Sequence, residues 1–129
     1  MMSPSPSPNP AEIRFPRREL HDNAGVCALI DGVQVAVFYL PGETPALYAL
    51  QNWDPLGRAN VLYRGIVGDI DGELVVASPL YKQHFSLRTG RCLEEEDVSL
   101  PTYEAWLEDD TVIVTLRSSN LKTQEYKNA

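Results

Sequence analysis

The chain has 129 residues and a net charge of −7, from 18 acidic and 11 basic side chains. That length fits one domain with a tail, and the acidic balance disfavours a nucleic-acid or anionic-membrane partner, which needs a basic face. Cys27 and Cys92 lie far apart in sequence, call for no disulfide framework, and are read as two reduced, partly buried thiols.

Residues 3–10 are only Ser, Pro and Asn. Such a segment buries too little apolar surface to offset its ordering entropy, so residues 1–12 are expected to form a disordered tail. The tail has no apolar run, hence neither a signal peptide nor a membrane helix is predicted, and the expected location is cytoplasmic. Arg14, Arg17 and Arg18 follow among prolines, which argues against an amphipathic transit helix. A helix of one or two turns is predicted over 17–23.

From there strand signals dominate. Residues 26–30 and 33–40 are apolar runs around Asp31-Gly32, a tight hairpin turn in which Gly takes positive φ without steric cost. Pro41-Gly42 ends the second run, and 46–51 forms a third short strand. Residues 66–70 and 73–77 flank Asp71-Gly72 as a second hairpin. Gly65 and Gly68 are read as strand bends or bulges. Residues 85–87 make a short strand closed by Thr89-Gly90. The acidic run Glu94-Glu95-Glu96-Asp97 is read as a solvated loop. Tyr103, Ala105 and Leu107 alternate with Glu104, Trp106 and Glu108, the period of a half-buried strand, and 112–116 returns after an acidic turn at 108–110. Short strands with regular turn signals predict an all-β antiparallel sandwich or barrel over 13–118, with 119–129 a polar C-terminal tail.

Two loops carry the functional signal. Asn52-Trp53-Asp54-Pro55-Leu56 follows the third strand, and Ser78-Pro79-Leu80-Tyr81-Lys82-Gln83-His84-Phe85 runs on to Gly90. They resemble the two ligand loops of Rieske iron–sulfur domains, written Asn-x-Cys-Pro-His and Cys-Pro-x-His-x-x-x-Phe-x-x-x-x-Gly. Pro79, Phe85 and Gly90 stand at the matching offsets. The four ligand positions hold Asp54, Leu56, Ser78 and Tyr81 instead of two Cys and two His. With Ala49 to Pro55, Tyr63 to Gly68 and Val76 to Gln83, this pattern resembles the small subunit of assimilatory NAD(P)H-dependent nitrite reductase, a Rieske-like protein that has lost its cluster. The resemblance covers about 19–116.

The resemblance implies a sandwich with both altered loops at one tip. It implies no cofactor in this chain, and a large subunit as partner that carries FAD, sirohaem and an iron–sulfur cluster and reduces nitrite to ammonia. This chain would be a non-catalytic accessory subunit. Tip docking makes Trp53, Leu56, Leu80, Tyr81, Lys82 and His84 the interface candidates, although Trp53 and Leu80 are equally well read as plugs for the tip. Two other functions stand beside it, a Rieske-type ferredoxin that carries electrons and a freestanding binding module unrelated to nitrite.

The residues suggest little chemistry. Asp54 and Ser78 are hard oxygen donors, whereas iron–sulfur clusters take thiolate. Leu56 and Tyr81 are expected to fill the space of a cluster, with Asp54 either receiving the Tyr81 hydroxyl or bonding its own backbone as a turn residue. His21, Cys27, His84 and Cys92 lack ligand spacing for zinc. Ser78 with His84 has no orienting acid or oxyanion feature, and no glycine-rich phosphate loop opens a helix.

Overall fold

The computed structural model describes residues 11–119. Eleven strands run in order through them: β1 (Glu12–Pro16), β2 (Ala24–Ile30), β3 (Val33–Tyr39), β4 (Leu47–Gln51), β5 (Trp53–Asp54), β6 (Ala59–Asn60), β7 (Ile66–Ile70), β8 (Glu73–Ala77), β9 (His84–Ser86), β10 (Thr102–Glu108) and β11 (Thr111–Ser118). They form a six-stranded sheet in the order β1-β11-β10-β4-β3-β2, a three-stranded sheet β7-β8-β9 and a small β5-β6 hairpin. All the named strand pairs are antiparallel. Among the described residues no helix is long and apolar enough to cross a membrane.

Two apolar clusters explain the pattern of the central strands. Val35, Val37, Leu47 and Ala49 pack inside the six-stranded sheet with Val112 and Val114. Their alternates Ala36, Phe38, Tyr48 and Leu50 pack against the three-stranded sheet, with Val76, Phe85 and Leu87. β3 and β4 are therefore buried on both faces, and their sequences read as continuous apolar runs rather than alternations. A fully buried side chain such as Phe38 contributes about 1.5–3 kcal/mol.

The hairpin turns lie where the sequence places them. Asp31 and Gly32 have φ of 48° and 82°, and Asp71 and Gly72 have 52° and 87°, both residues of each pair left-handed.

Three local features differ from the sequence reading. The helix over 17–23 reduces to a single 3-10 turn, Arg17–Glu19, because Leu20 is extended and buried. β1 is a strand the sequence hides: it is an edge strand containing Arg14 and ending on Pro16, which donates no ladder hydrogen bond. It begins at Glu12, and Ser119 Oγ is hydrogen-bonded to Thr102 Oγ1. Gly68 sits in an unbroken β7-β8 register, and the irregularity falls instead in β10-β11, between Tyr103 and Ala105. Of the tails expected over 1–12 and 119–129, residues 1–10 and 120–129 lie outside the described residues.

Candidate functional site

The chain leaves β4 through Asn52, which is fully buried and fixes the base of the first loop. Its Nδ2 donates to Gln34 Oε1 at 3.1 Å, and its Oδ1 accepts the Tyr63 N–H at 2.8 Å. Its backbone N–H donates to the Gln34 carbonyl at 2.9 Å and its carbonyl accepts from Leu62 at 3.1 Å. One amide side chain thus joins β3, the loop and the 3-10 turn Leu62–Arg64.

The first loop then turns around Asp54. Asp54 Oδ1 accepts the N–H groups of Leu56 and Gly57 at 2.9 and 3.0 Å. The second loop leaves β8 through Ser78, whose hydroxyl donates to Asp54 Oδ2. Asp54 and Ser78 are 0 % and 1 % exposed, so this bond is shielded from water. Ser78 also closes its own loop, donating its N–H to the Gln83 carbonyl and accepting from the Lys82 N–H. The two loops of the sequence motif therefore meet at one tip, tied by the side chains at the two positions that the resemblance assigns to cysteine.

Of the other two positions, only one departs from expectation. Leu56 is half-buried against the core, but Tyr81 is 64 % exposed. Tyr81 fills no internal space, and its expected partner Asp54 is taken by Ser78 and the loop amides. Leu80 covers the turn instead: a Cβ built on Gly57 would lie 2.4 Å from Leu80 Cδ1. The cause is the turn itself, which places Lys82 at φ 61° and carries residue 81 outward.

His84 is not a free tip residue. Its backbone N–H donates to Glu94 Oε1 at 2.8 Å and its Nδ1 meets Glu94 Oε2 at 2.7 Å. The acidic run read as a solvated loop thus has one member with a structural task. Ser78 and His84 bond different carboxylates and form no dyad. Among the described residues no group of three or more His, Cys, Asp and Glu side chains is placed to hold a metal ion. Cys27 is exposed and Cys92 buried, both as free thiols, and burial pushes both up from their ordinary value. Neither is poised as a nucleophilic thiolate.

Glu94 gives a testable pH dependence. Burial pushes its carboxyl up, but donation from the His84 backbone and imidazole outweighs this and holds it below its ordinary value. A carboxyl depressed in the folded state stabilises the fold above its unfolded value, and the contribution is lost as pH falls through the folded value. Glu94→Gln should lower the urea midpoint at neutral pH, and the gap to the unmodified chain should close at acid pH. Solvent exposure keeps the effect small.

A cavity of about 690 Å³ lies away from the tip, lined by residues including Leu47, Tyr48, Leu87, Arg88, Thr102 and Trp106. The tip itself offers a surface.

Comparison with known proteins accords with this geometry. The family model of the Rieske-like [2Fe-2S] domain matches residues 15–115. The nitrite reductase (NADH) small subunit of Salmonella typhimurium is 47 % identical over 88 residues, which span 68 % of this chain and 81 % of that protein. The solution structure of the nitrite reductase NAD(P)H small subunit from Erwinia carotovora is similar with a TM-score of 0.65 and 38 % identity, covering 81 % of this chain and 80 % of that one. A protein of Klebsiella oxytoca named as a nitrite reductase NAD(P)H large subunit is 38 % identical over 91 residues, which are 70 % of this chain but 9 % of that protein.

Proposed function

This chain belongs to the Rieske-like domain family and, within it, to the nitrite reductase small subunits, and from that premise we propose that it serves as an accessory subunit with no redox centre of its own. The observation that carries the reading is the Asp54–Ser78 bond. A Rieske centre needs two thiolates on one iron and two imidazoles on the other. Here the thiolate positions are oxygens that bond each other and the loop amides, and the imidazole positions are a leucine and an outward-facing tyrosine. That donor set does not fit an iron–sulfur cluster, and it counts against an electron-carrying ferredoxin.

The proposed partner is the large subunit of the same nitrite reductase. By family resemblance that subunit holds FAD, sirohaem and an iron–sulfur cluster and reduces nitrite to ammonia with NAD(P)H. The Klebsiella oxytoca relative supports the pairing, because a segment similar to this chain lies inside a much longer chain named as the large subunit. Covalent linkage of two modules that work together raises their effective concentration without new contacts. The role of this chain is to stabilise the partner or shape access to it, and every electron transfer takes place in the large subunit.

The test combines three measurements on the full chain and its cognate large subunit. Co-elution is expected, with a gain in the rate or thermal half-life of NAD(P)H-dependent nitrite reduction. Iron and sulfide in the isolated chain are expected far below one cluster per molecule. One cluster per molecule would restore the electron-carrier reading. Absence of co-elution and of any effect would leave a Rieske-like binding module with a different partner.

A further inference from the structure

We infer that the large subunit docks on a face wider than the two loops, an apolar centre with basic side chains on its loop side and acidic ones beyond Leu93, and that the partner presents to it an apolar socket flanked by the opposite charges. The inference rests on the accessory-subunit reading and specifies the contact.

Seven large hydrophobic side chains are exposed among the described residues, and all but Trp106 gather at this end. Trp53, Leu80 and Tyr81 come from the loops. Ile66, 77 % exposed, is brought in by register: it stands opposite Ala77, which stands opposite His84. Directly opposed residues share a face of a sheet. Their inward neighbours Val67, Val76 and Phe85 face the core, so Ile66 and His84 lie on the outer face beside the 78–83 loop. Leu93 adjoins them through its N–H bond to the His84 carbonyl, at 2.8 Å. Leu29 enters from the far side, opposite Gln34, whose side chain holds Asn52 next to Trp53. Exposed apolar patches gathered in one region mark interaction sites, whereas singly scattered residues do not.

Charge supplies the second argument. On the loop side, residues 52–66 and 78–84 contain Arg58, Arg64 and Lys82 as exposed ions against one carboxylate, the buried Asp54, whereas Glu94, Glu95, Glu96 and Asp97 are exposed next to Leu93. The face is cationic on its loop side and acidic beyond Leu93. Complementary potentials set orientation and encounter rate in protein association, so the facing surface of the large subunit is expected to be anionic opposite Arg58, Arg64 and Lys82.

The test measures the affinity of the full chain for its cognate large subunit, with each variant first shown to melt like the unmodified chain. Ile66→Glu and Tyr81→Glu should each weaken binding at least tenfold. Lys82→Glu should weaken it and flatten its salt dependence. Trp106→Glu, off this face, should bind within twofold of the unmodified chain. If the unmodified chain binds while Ile66→Glu and Tyr81→Glu bind equally well, the docking face is wrong and the partner reading stands. Equal weakening by Trp106→Glu would also overturn the face. If the unmodified chain does not bind, the partner reading falls and this inference with it.

Discussion

Asp54→Ala should destabilise the fold by about 3 kcal/mol, because it strips partners from three donors at once in a buried site, each worth roughly 1–3 kcal/mol when left unsatisfied. The donors are the Leu56 and Gly57 amides and the Ser78 hydroxyl. Water can re-solvate part of this set at the surface end of the loop, which is why the figure sits well below the sum. In a domain of this size the melting temperature should fall by about 12–20 °C. Ser78→Ala removes one donor from the carboxylate and should cost about 1–2 kcal/mol. Asp54→Asn keeps an acceptor for the two amides and should fall between. The double variant Asp54→Ala with Ser78→Ala should cost less than the sum, since the second change removes a hydroxyl already orphaned by the first. Urea unfolding of the four variants and the unmodified chain at constant m value measures all of this. Additive losses, or a loss under 0.5 kcal/mol for Asp54→Ala, would show that the pair does not tie the loops together. Because the bond joins the only two loops that build the tip, weakening it should also loosen the docking face and lower affinity for the large subunit.

The strands of this protein were legible because two independent signals coincide. Apolar runs end on Asp-Gly pairs, and both pairs adopt the left-handed turn that closes a hairpin. β1 carried neither signal: an edge strand needs only one buried face, and Ile13 and Phe15 alternate with Glu12, Arg14 and Pro16 over too short a span to register. At the site, motif offsets correctly brought Asp54 and Ser78 to one tip. They could not tell which neighbour would fill the space, since Leu80 and Tyr81 differ by one position and the backbone turn at Lys82 decides between them. Glu94 was hidden for another reason. Four consecutive acids look alike in sequence, and only the bridge that sets Phe85 opposite Cys92 singles out the one within reach of His84. Ile66 escaped notice because Ile66-Val67 is apolar on both faces of its strand, and only pairing shows which side faces solvent.

Gly90, buried in the segment between β9 and β10, should not tolerate even alanine. Gly90 has φ of 80°, a left-handed conformation that costs other residues about 1 kcal/mol or more. Sterics add far more. A Cβ there would sit 2.0 Å from the Leu100 carbonyl oxygen and 3.0 Å from its carbon, both backbone atoms that cannot rotate away. The same segment is held by hydrogen bonds from the Gly90 N–H to the Ser86 carbonyl and from the Leu100 N–H to Gly90, each 2.8 Å, so relief of the clash must break them. A loss of at least about 4 kcal/mol is expected, in the range reserved for strain at a special backbone position. For a domain of ordinary stability, roughly 5–15 kcal/mol, this removes roughly a quarter to four-fifths of the total. Gly68→Ala is the control, because no atom lies within 4 Å of its Cβ position and its φ is not left-handed. It should be neutral or stabilise by up to about 1 kcal/mol through the unfolded chain. Far-ultraviolet circular dichroism against urea separates the two. If Gly90→Ala unfolds within 1 kcal/mol of the unmodified chain, the 87–101 segment can shift as a body. It would then no longer fix Glu94 and Leu93 beside the tip, and the docking face would lose its third edge.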